Sequence, residues 1–182
     1  RDGLRIMMHG TTAHGSELLA DLGQRPTPVT YYSSDGPLAR VVMAEASRPA
    51  ARIGIVGLGV GALGCYRQPG QDWHFYEIDA AVDRMARNSG LFDFMRDCSA
   101  DIPTHIGDAR VTLAGQDLTY DLLVIDAYSS DAIPVHLMTT DAMRTYLARL
   151  APDGVIAFHV SNRFFDLQPV LARIARDLDL RI

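Results

Sequence analysis

The chain is poor in cysteine, with only Cys65 and Cys98 among 182 residues. There is no Cys-x-x-Cys pair and no histidine spaced to complete a zinc site. That excludes a metal- or disulfide-stapled framework and predicts two buried thiols in a reducing, cytoplasmic compartment, with no metal. No run of about 18 apolar residues occurs, and the N-terminus lacks a basic-then-apolar leader. The sequence therefore predicts a soluble protein whose own residues neither span a membrane nor direct export. Basic residues are also in deficit, 17 Lys plus Arg against 22 Asp plus Glu, for a net charge of −5. A nucleic-acid surface usually needs the opposite balance, so the expected partner is a small or cationic molecule. Internal repeats and low-complexity stretches are missing too. What remains is a chain 48% hydrophobic and long enough to bury one sizeable core.

The most informative stretch runs from Arg52 to Gly64, RIGIVGLGVGALG. Ile53, Ile55 and Val56 suit a buried strand, and Gly57, Gly59 and Gly61 allow a tight turn with no Cβ in the way of a ligand. Ala62, Leu63 and Cys65 read as the opening of a helix whose backbone N–H groups would face that ligand. Strand, glycine turn and helix together open a nucleotide-binding βαβ unit. A glycine run alone is also the sequence of an ordinary tight turn. Here a second strand follows over residues 72–79, and Glu77 lies twenty positions beyond Gly57, the spacing at which a carboxylate accepts hydrogen bonds from ribose hydroxyls.

Around this unit the pattern predicts a strand over residues 4–8 and a hairpin through the turn-rich residues 9–15. Extended chain follows near Pro26 and Pro28, then a helix over 36–47. Later come a helix over 80–88, an apolar core patch at 91–95, and a short strand ending at Gly107 and Asp108 before a helix. A four-residue apolar run at 122–125 is a strand of the kind a parallel sheet buries on both faces, and it delivers Asp126 to the carboxyl edge. A polar loop over 127–134, a helix over 141–150, a strand over 155–160 and a helix over 167–178 complete the alternation. The reading is an α/β doubly wound parallel sheet, Rossmann-like, over residues 36–182, preceded by an N-terminal β-hairpin or lid over 1–35. The ligand crevice is expected outside the carboxyl ends of the strands. Both ends read as interrupted strands, residues 1–9 already under way and 180–182 just beginning, so the expectation is a piece of something longer.

In order, IVGLGVGALG, YEID, HIGDAR, VIDAYSSDAIP and LAPDGVIAFHV resemble the spermidine synthase (polyamine aminopropyltransferase) family over roughly residues 4–178. The catalytic domain of that family is a variant of the class I S-adenosylmethionine-dependent methyltransferase fold. The VIDAYSSDAIP loop resembles a divergent bacterial branch often fused to membrane segments. The resemblance implies that Gly57, Leu58, Gly59 and Gly61 cradle the tail of decarboxylated S-adenosylmethionine. It further implies that Glu77 binds the ribose hydroxyls, that Ile78 belongs to the same cofactor site, and that Asp108 with Ala109 meets the adenine edge. Asp126 would be the catalytic aspartate that takes a proton from the attacking amine. Asp131 would hold the far end of a diamine, with Tyr31 or Tyr32 lining the groove, and a homodimer is expected.

The chemistry suits those carboxylates, because an amine is cationic near neutral pH and must be both bound and deprotonated before its nitrogen can attack. Two departures bear on specificity. Val60 stands where the family's glycine loop carries an aspartate for the donor's amine. His9-Gly10 stands where Asp-Gly is more usual, with no glutamine following. Three readings follow: an aminopropyltransferase acting on a polyamine, an S-adenosylmethionine-dependent methyltransferase, and a non-catalytic adenosyl-ligand-binding domain.

Overall fold

The structure is a computed structural model that describes residues 3–45, 47–128, 133–161 and 165–182. Strands β1 (Leu4–His9) and β2 (Thr12–Leu18) form an antiparallel hairpin. The main sheet holds β3 (Arg52–Val56), β4 (Asp72–Glu77), β5 (Thr104–Ile106), β6 (Tyr120–Ile125) and β7 (Leu150–Phe158), all parallel, in the order β5-β4-β3-β6-β7. The chain thus steps outward from β3 to β5, then crosses back to build β6 and β7 on the other side. That reversal makes a switch point between β3 and β6, the place where a doubly wound sheet opens a crevice.

Helices α1 (Pro37–Glu45), α2 (Ala80–Asn88) and the short α3 (Phe94–Asp97) cover one face. There Ile53, Ile55, Trp73, Phe75, Leu122 and Val124 pack against Val42, Val82, Phe94 and Met95. Helices α4 (Ala109–Ala114), α5 (Thr140–Leu147) and α6 (Gln168–Asp177) cover the other face, where Val56, Leu123 and Ile125 meet Leu113, Met143, Tyr146 and Ile174. Residues 122–125 have no exposed surface at all. Full burial of each such side chain contributes roughly 1.5–3 kcal/mol, so the unbroken apolar run of β6 stabilises the sheet centre and holds its carboxyl end firmly. The apolar patch at residues 91–95 is core, as expected, with Phe92, Phe94 and Met95 buried.

Four expectations are corrected. The segment after the glycine turn is a five-residue 3-10 helix, Ala62–Tyr66, rather than the start of an α-helix. It packs closely on one side, where Gly61 lies against Met95 and Gly64 against Ser99. Strand β7 starts at Leu150 rather than 155. Pro152 and left-handed Asp153 are accommodated because β7 is an edge strand whose register shifts opposite residues 120–122. Residues 180–182 carry no strand, since Leu180 instead donates its N–H to the Ala175 carbonyl and closes the end of α6.

The fourth correction concerns the cysteines: Cys65 and Cys98 are joined in a disulfide, with Cα atoms 4.6 Å apart. The 3-10 segment packs on α3, whose C-cap residue is Cys98, so two positions separated by 33 residues in sequence become neighbours only after folding. Such a bridge persists in oxidising surroundings, which removes the ground for expecting a reducing compartment. No helix among the described residues is long and apolar enough to cross a membrane.

Candidate active site

A cavity of about 930 Å³ opens at the carboxyl ends of the strands. It is walled by the hairpin, the glycine turn, the ends of β4, β5 and β6, and residues 133–137. Of the residues singled out in the sequence, Gly57, Gly59, Glu77, Ile78, Asp108, Ala109, Asp126, Tyr31 and Tyr32 line it. Leu58 and Gly61 do not line it: the Leu58 side chain is core, and Gly61 packs against Met95. Val60 also points into the core, against Gly15, so its side chain does not occupy the donor side of the cavity. Asp131 lies outside the described residues, with Ser129, Ser130 and Ala132 of the same loop.

The glycine turn is tied closely to its surroundings. Four of its N–H groups are engaged within the protein: Gly57 donates to the Tyr76 carbonyl, Leu58 to Glu77 Oε2, Val60 to the His14 carbonyl and Gly61 to the Leu58 carbonyl. Gly57 and Gly59 have positive φ, and a Cβ on them would collide with the carbonyls of Asp126 and His14 respectively. Glycine is thus required so that the β6 edge and the hairpin can close on the turn. Gly59, which lines the cavity, keeps an N–H with no hydrogen-bond partner among the described residues.

Glu77 is buried, and both its oxygens are anchored by backbone, Oε2 by Leu58 N–H at 3.1 Å and Oε1 by Asp79 N–H at 3.0 Å. Each carboxylate oxygen has a second lone pair, so an anchored Glu77 can still accept from a vicinal diol. Asp108 caps α4, with Oδ1 accepting from Arg110 N–H at 2.9 Å, and His136 Nε2 lies 3.6 Å from its Oδ2. Beside them His14, between the hairpin and Glu77, is held below its ordinary pKa by burial, partly opposed by the Glu77 charge.

The opposite wall is a side-chain network. Phe158 pairs with Ile125, so the residues that follow, His159 and Asp126, are adjacent across the sheet edge, and His159 N–H donates to the Ile125 carbonyl. Asp126 Oδ1 lies 2.5 Å from His159 Nδ1, and Oδ2 accepts from the Tyr32 hydroxyl at 2.7 Å. Tyr31 and Tyr128 flank the imidazole, with ring centroids 4.9 and 5.1 Å away, and the Tyr128 hydroxyl donates to the His159 carbonyl at 2.5 Å. Burial first and the Asp126 charge second push the Tyr31 phenol up to about 12 and Tyr32 well above its ordinary value. Both phenols therefore stay protonated near neutral pH. Proton acceptance on this wall falls to Asp126 and His159.

His159 and Tyr128 were not picked out from the sequence. The available signal was a polar residue ending an apolar strand, but the pairing register that sets it beside Asp126 is not written in the spacing. Among the described residues no group of three or more His, Cys, Asp or Glu is placed to hold a metal ion.

No family model matches the chain. Residues of this chain align with a curated polyamine aminopropyltransferase from Vibrio vulnificus (strain CMCP6), 32% identical over 119 residues, which is 62% of this chain and 38% of that protein. The alignment thus spans less than two fifths of the relative's length. A probable spermidine synthase from Corynebacterium glutamicum superposes with a TM-score of 0.57 at 18% identity, covering 85% of this chain and 59% of that one. The O-methyltransferase TomG from Streptomyces achromogenes, solved in complex with SAM, superposes with a TM-score of 0.56 at 17% identity, covering 90% and 74%. The chain therefore has the Rossmann-like fold shared by S-adenosylmethionine-dependent methyltransferases and spermidine synthases.

Proposed function

We propose that this chain is a transferase that moves an aminopropyl group from decarboxylated S-adenosylmethionine to a diamine such as putrescine. The observation that carries the reading is the buried Asp126 carboxylate, walled by Tyr31, Tyr32 and Tyr128 at the switch point and sharing one cavity with Glu77. The curated relative's aminopropyltransferase activity supports it.

The residues present fit such a donor. A cavity of about 930 Å³ takes a nucleoside, and Glu77 keeps lone pairs for the ribose hydroxyls. Asp108 and Ala109 lie on the wall for the adenine edge, and Ile78, exposed at the mouth, offers an apolar surface beside it. When bound, the sulfonium supplies a good leaving group, so the protein has little acid catalysis to do. Its own work is placement and proton removal. The tyrosine-walled pocket desolvates the acceptor's ammonium, the Asp126 charge attracts it, and Asp131 anchors the distal ammonium.

A second reading, methyl transfer from S-adenosylmethionine, draws on the SAM complex of TomG and on Val60, which supplies no carboxylate for the amine of the decarboxylated donor. Calorimetry of one sample with decarboxylated S-adenosylmethionine, S-adenosylmethionine and methylthioadenosine, followed by turnover with putrescine, separates the two. Binding of the decarboxylated donor with diamine turnover is expected. A protein that turns over no diamine yet methylates an acceptor overturns the first reading.

A further inference from the structure

We infer that His159, held by Asp126, is the group that receives the acceptor's proton; the inference rests on the transfer reading above and assigns the base within it. The Asp126 side chain is only 2% exposed and already bonded at both oxygens, to Tyr32 on one side and His159 on the other. His159 is the more accessible partner, its side chain 13% exposed and set against Tyr31 and Tyr128, two residues that line the cavity. With Asp126 accepting at Oδ1, the neutral imidazole carries its proton on Nδ1 and leaves Nε2 with a lone pair. Among the described residues none hydrogen-bonds to Nε2. This is the division of labour of a carboxylate–imidazole pair, in which the carboxylate fixes tautomer and orientation and the far nitrogen takes the proton.

The groups facing the imidazole are Asp126 at the end of β6, Tyr31 from the 3-10 turn Thr30–Tyr32, and Tyr128 just after β6, with Tyr32 acting through Asp126. The phenols hold their protons, so Asp126 is the charged neighbour among these groups, and it stabilises the imidazolium formed. In the step itself, the acceptor's ammonium gives one proton to Nε2. The freed nitrogen lone pair then forms the new N–C bond as the C–S bond breaks, its electrons remaining on sulfur as a neutral thioether. The product is a secondary ammonium, and the imidazolium returns its proton to solvent, so one proton is released per turnover. Asp126 is on this account a positioning residue for His159.

Two measurements test the assignment. In the wild-type protein with methylthioadenosine bound, ¹⁵N NMR is expected to show His159 as the Nδ1–H tautomer, with its Nε2 resonance shifting when putrescine is added. An Nε2–H tautomer, or an Nε2 resonance indifferent to amine, overturns the proposal. In kinetics, His159→Gln is expected to lower turnover roughly 10²–10⁴-fold and remove the acid limb of the kcat/KM profile, while methylthioadenosine affinity stays within about twofold. Turnover within about fivefold of wild type would hand the proton directly to Asp126 and overturn the proposal. The failures are distinguishable: a wild type that transfers nothing to any amine ends the functional reading, whereas tautomer and amine response are read without turnover.

Discussion

Two histidine networks are built from similar side chains and do different things. At the carboxyl edge, His159 pairs with the buried Asp126 carboxylate, which lines the cavity. Within the sheet, His74 and His105 join Gln116, Tyr76 and Tyr120 in a chain of which only Tyr76 lines the cavity. Its polarity can be followed atom by atom. Tyr76 hydroxyl donates to Gln116 Oε1, so Gln116 Nε2 donates to His105 Nδ1, and His105 Nε2–H donates to His74 Nδ1 at 2.8 Å. His74 Nε2 then lies 3.0 Å from Asp72 Oδ1, a close contact without hydrogen-bond geometry. Every imidazole in this chain is needed neutral: protonating His105 would set two donors against each other. Burial holds both His74 and His105 below the ordinary histidine value, with Asp72 opposing at His74 and the neighbouring His74 adding to the lowering at His105. What separates the two networks is where their carboxylate sits: Asp72, beside His74, is away from the cavity, whereas Asp126, beside His159, lines it.

The sharpest test of that contrast is Asp126→Asn, which keeps the shape but cannot fix the tautomer or balance a proton on this wall. Turnover should fall roughly 10²–10⁴-fold with little change in methylthioadenosine affinity. His105→Gln should leave turnover within a few-fold. Steady-state kinetics on the two variants checks both, and equal losses would erase the distinction.

Next in size is the disulfide. It joins the segment after the glycine turn to the end of α3 and includes no residue of either network, so its effect is expected on stability. Closing a 33-residue separation is worth about 3–4 kcal/mol on the chain-entropy account. Reduction should therefore lower Tm by roughly 8–15 °C in calorimetry, while both histidine networks keep their NMR signatures. An unchanged Tm under reductant would show that the bridge contributes nothing.

On the donor wall, Glu77→Ala should weaken methylthioadenosine binding by about 1–3 kcal/mol, because ribose hydroxyls lose their acceptor and the Leu58 and Asp79 N–H groups lose theirs. Unchanged affinity by titration calorimetry would remove the ribose assignment.

The smallest effect expected is a pH dependence of stability. His74 and His105 bind protons more weakly folded than unfolded, so the unfolded chain takes up protons first as pH falls through the ordinary value of about 6.5. Stability is then full above that pH and declines toward the lowered native values, by no more than about 1.4 kcal/mol per pH unit for each imidazole. His14 has the same sign, so the decisive measurement is the slope of urea-unfolding stability between pH 5 and 7 in His105→Gln against wild type. A slope that does not flatten in the variant would assign the dependence elsewhere.

Much of this was legible in the sequence. The apolar run 122–125 reads as a central parallel strand because only burial on both faces tolerates it, and the alternation of strands and helices then leaves one sheet type. Glu77, Asp108 and Asp126 were readable as one site, because carboxyl ends of parallel strands all face the same crevice. Local pattern could not say that the hairpin would close on Gly59, that Val60 would face inward, or that Cys65 would meet Cys98. Each depends on how far one element slides along another. The pairing of Asp126 with His159 is the plainest case: residue types place both at strand ends, but only the β6–β7 register, set by core packing of Ile125 and Phe158, makes them neighbours.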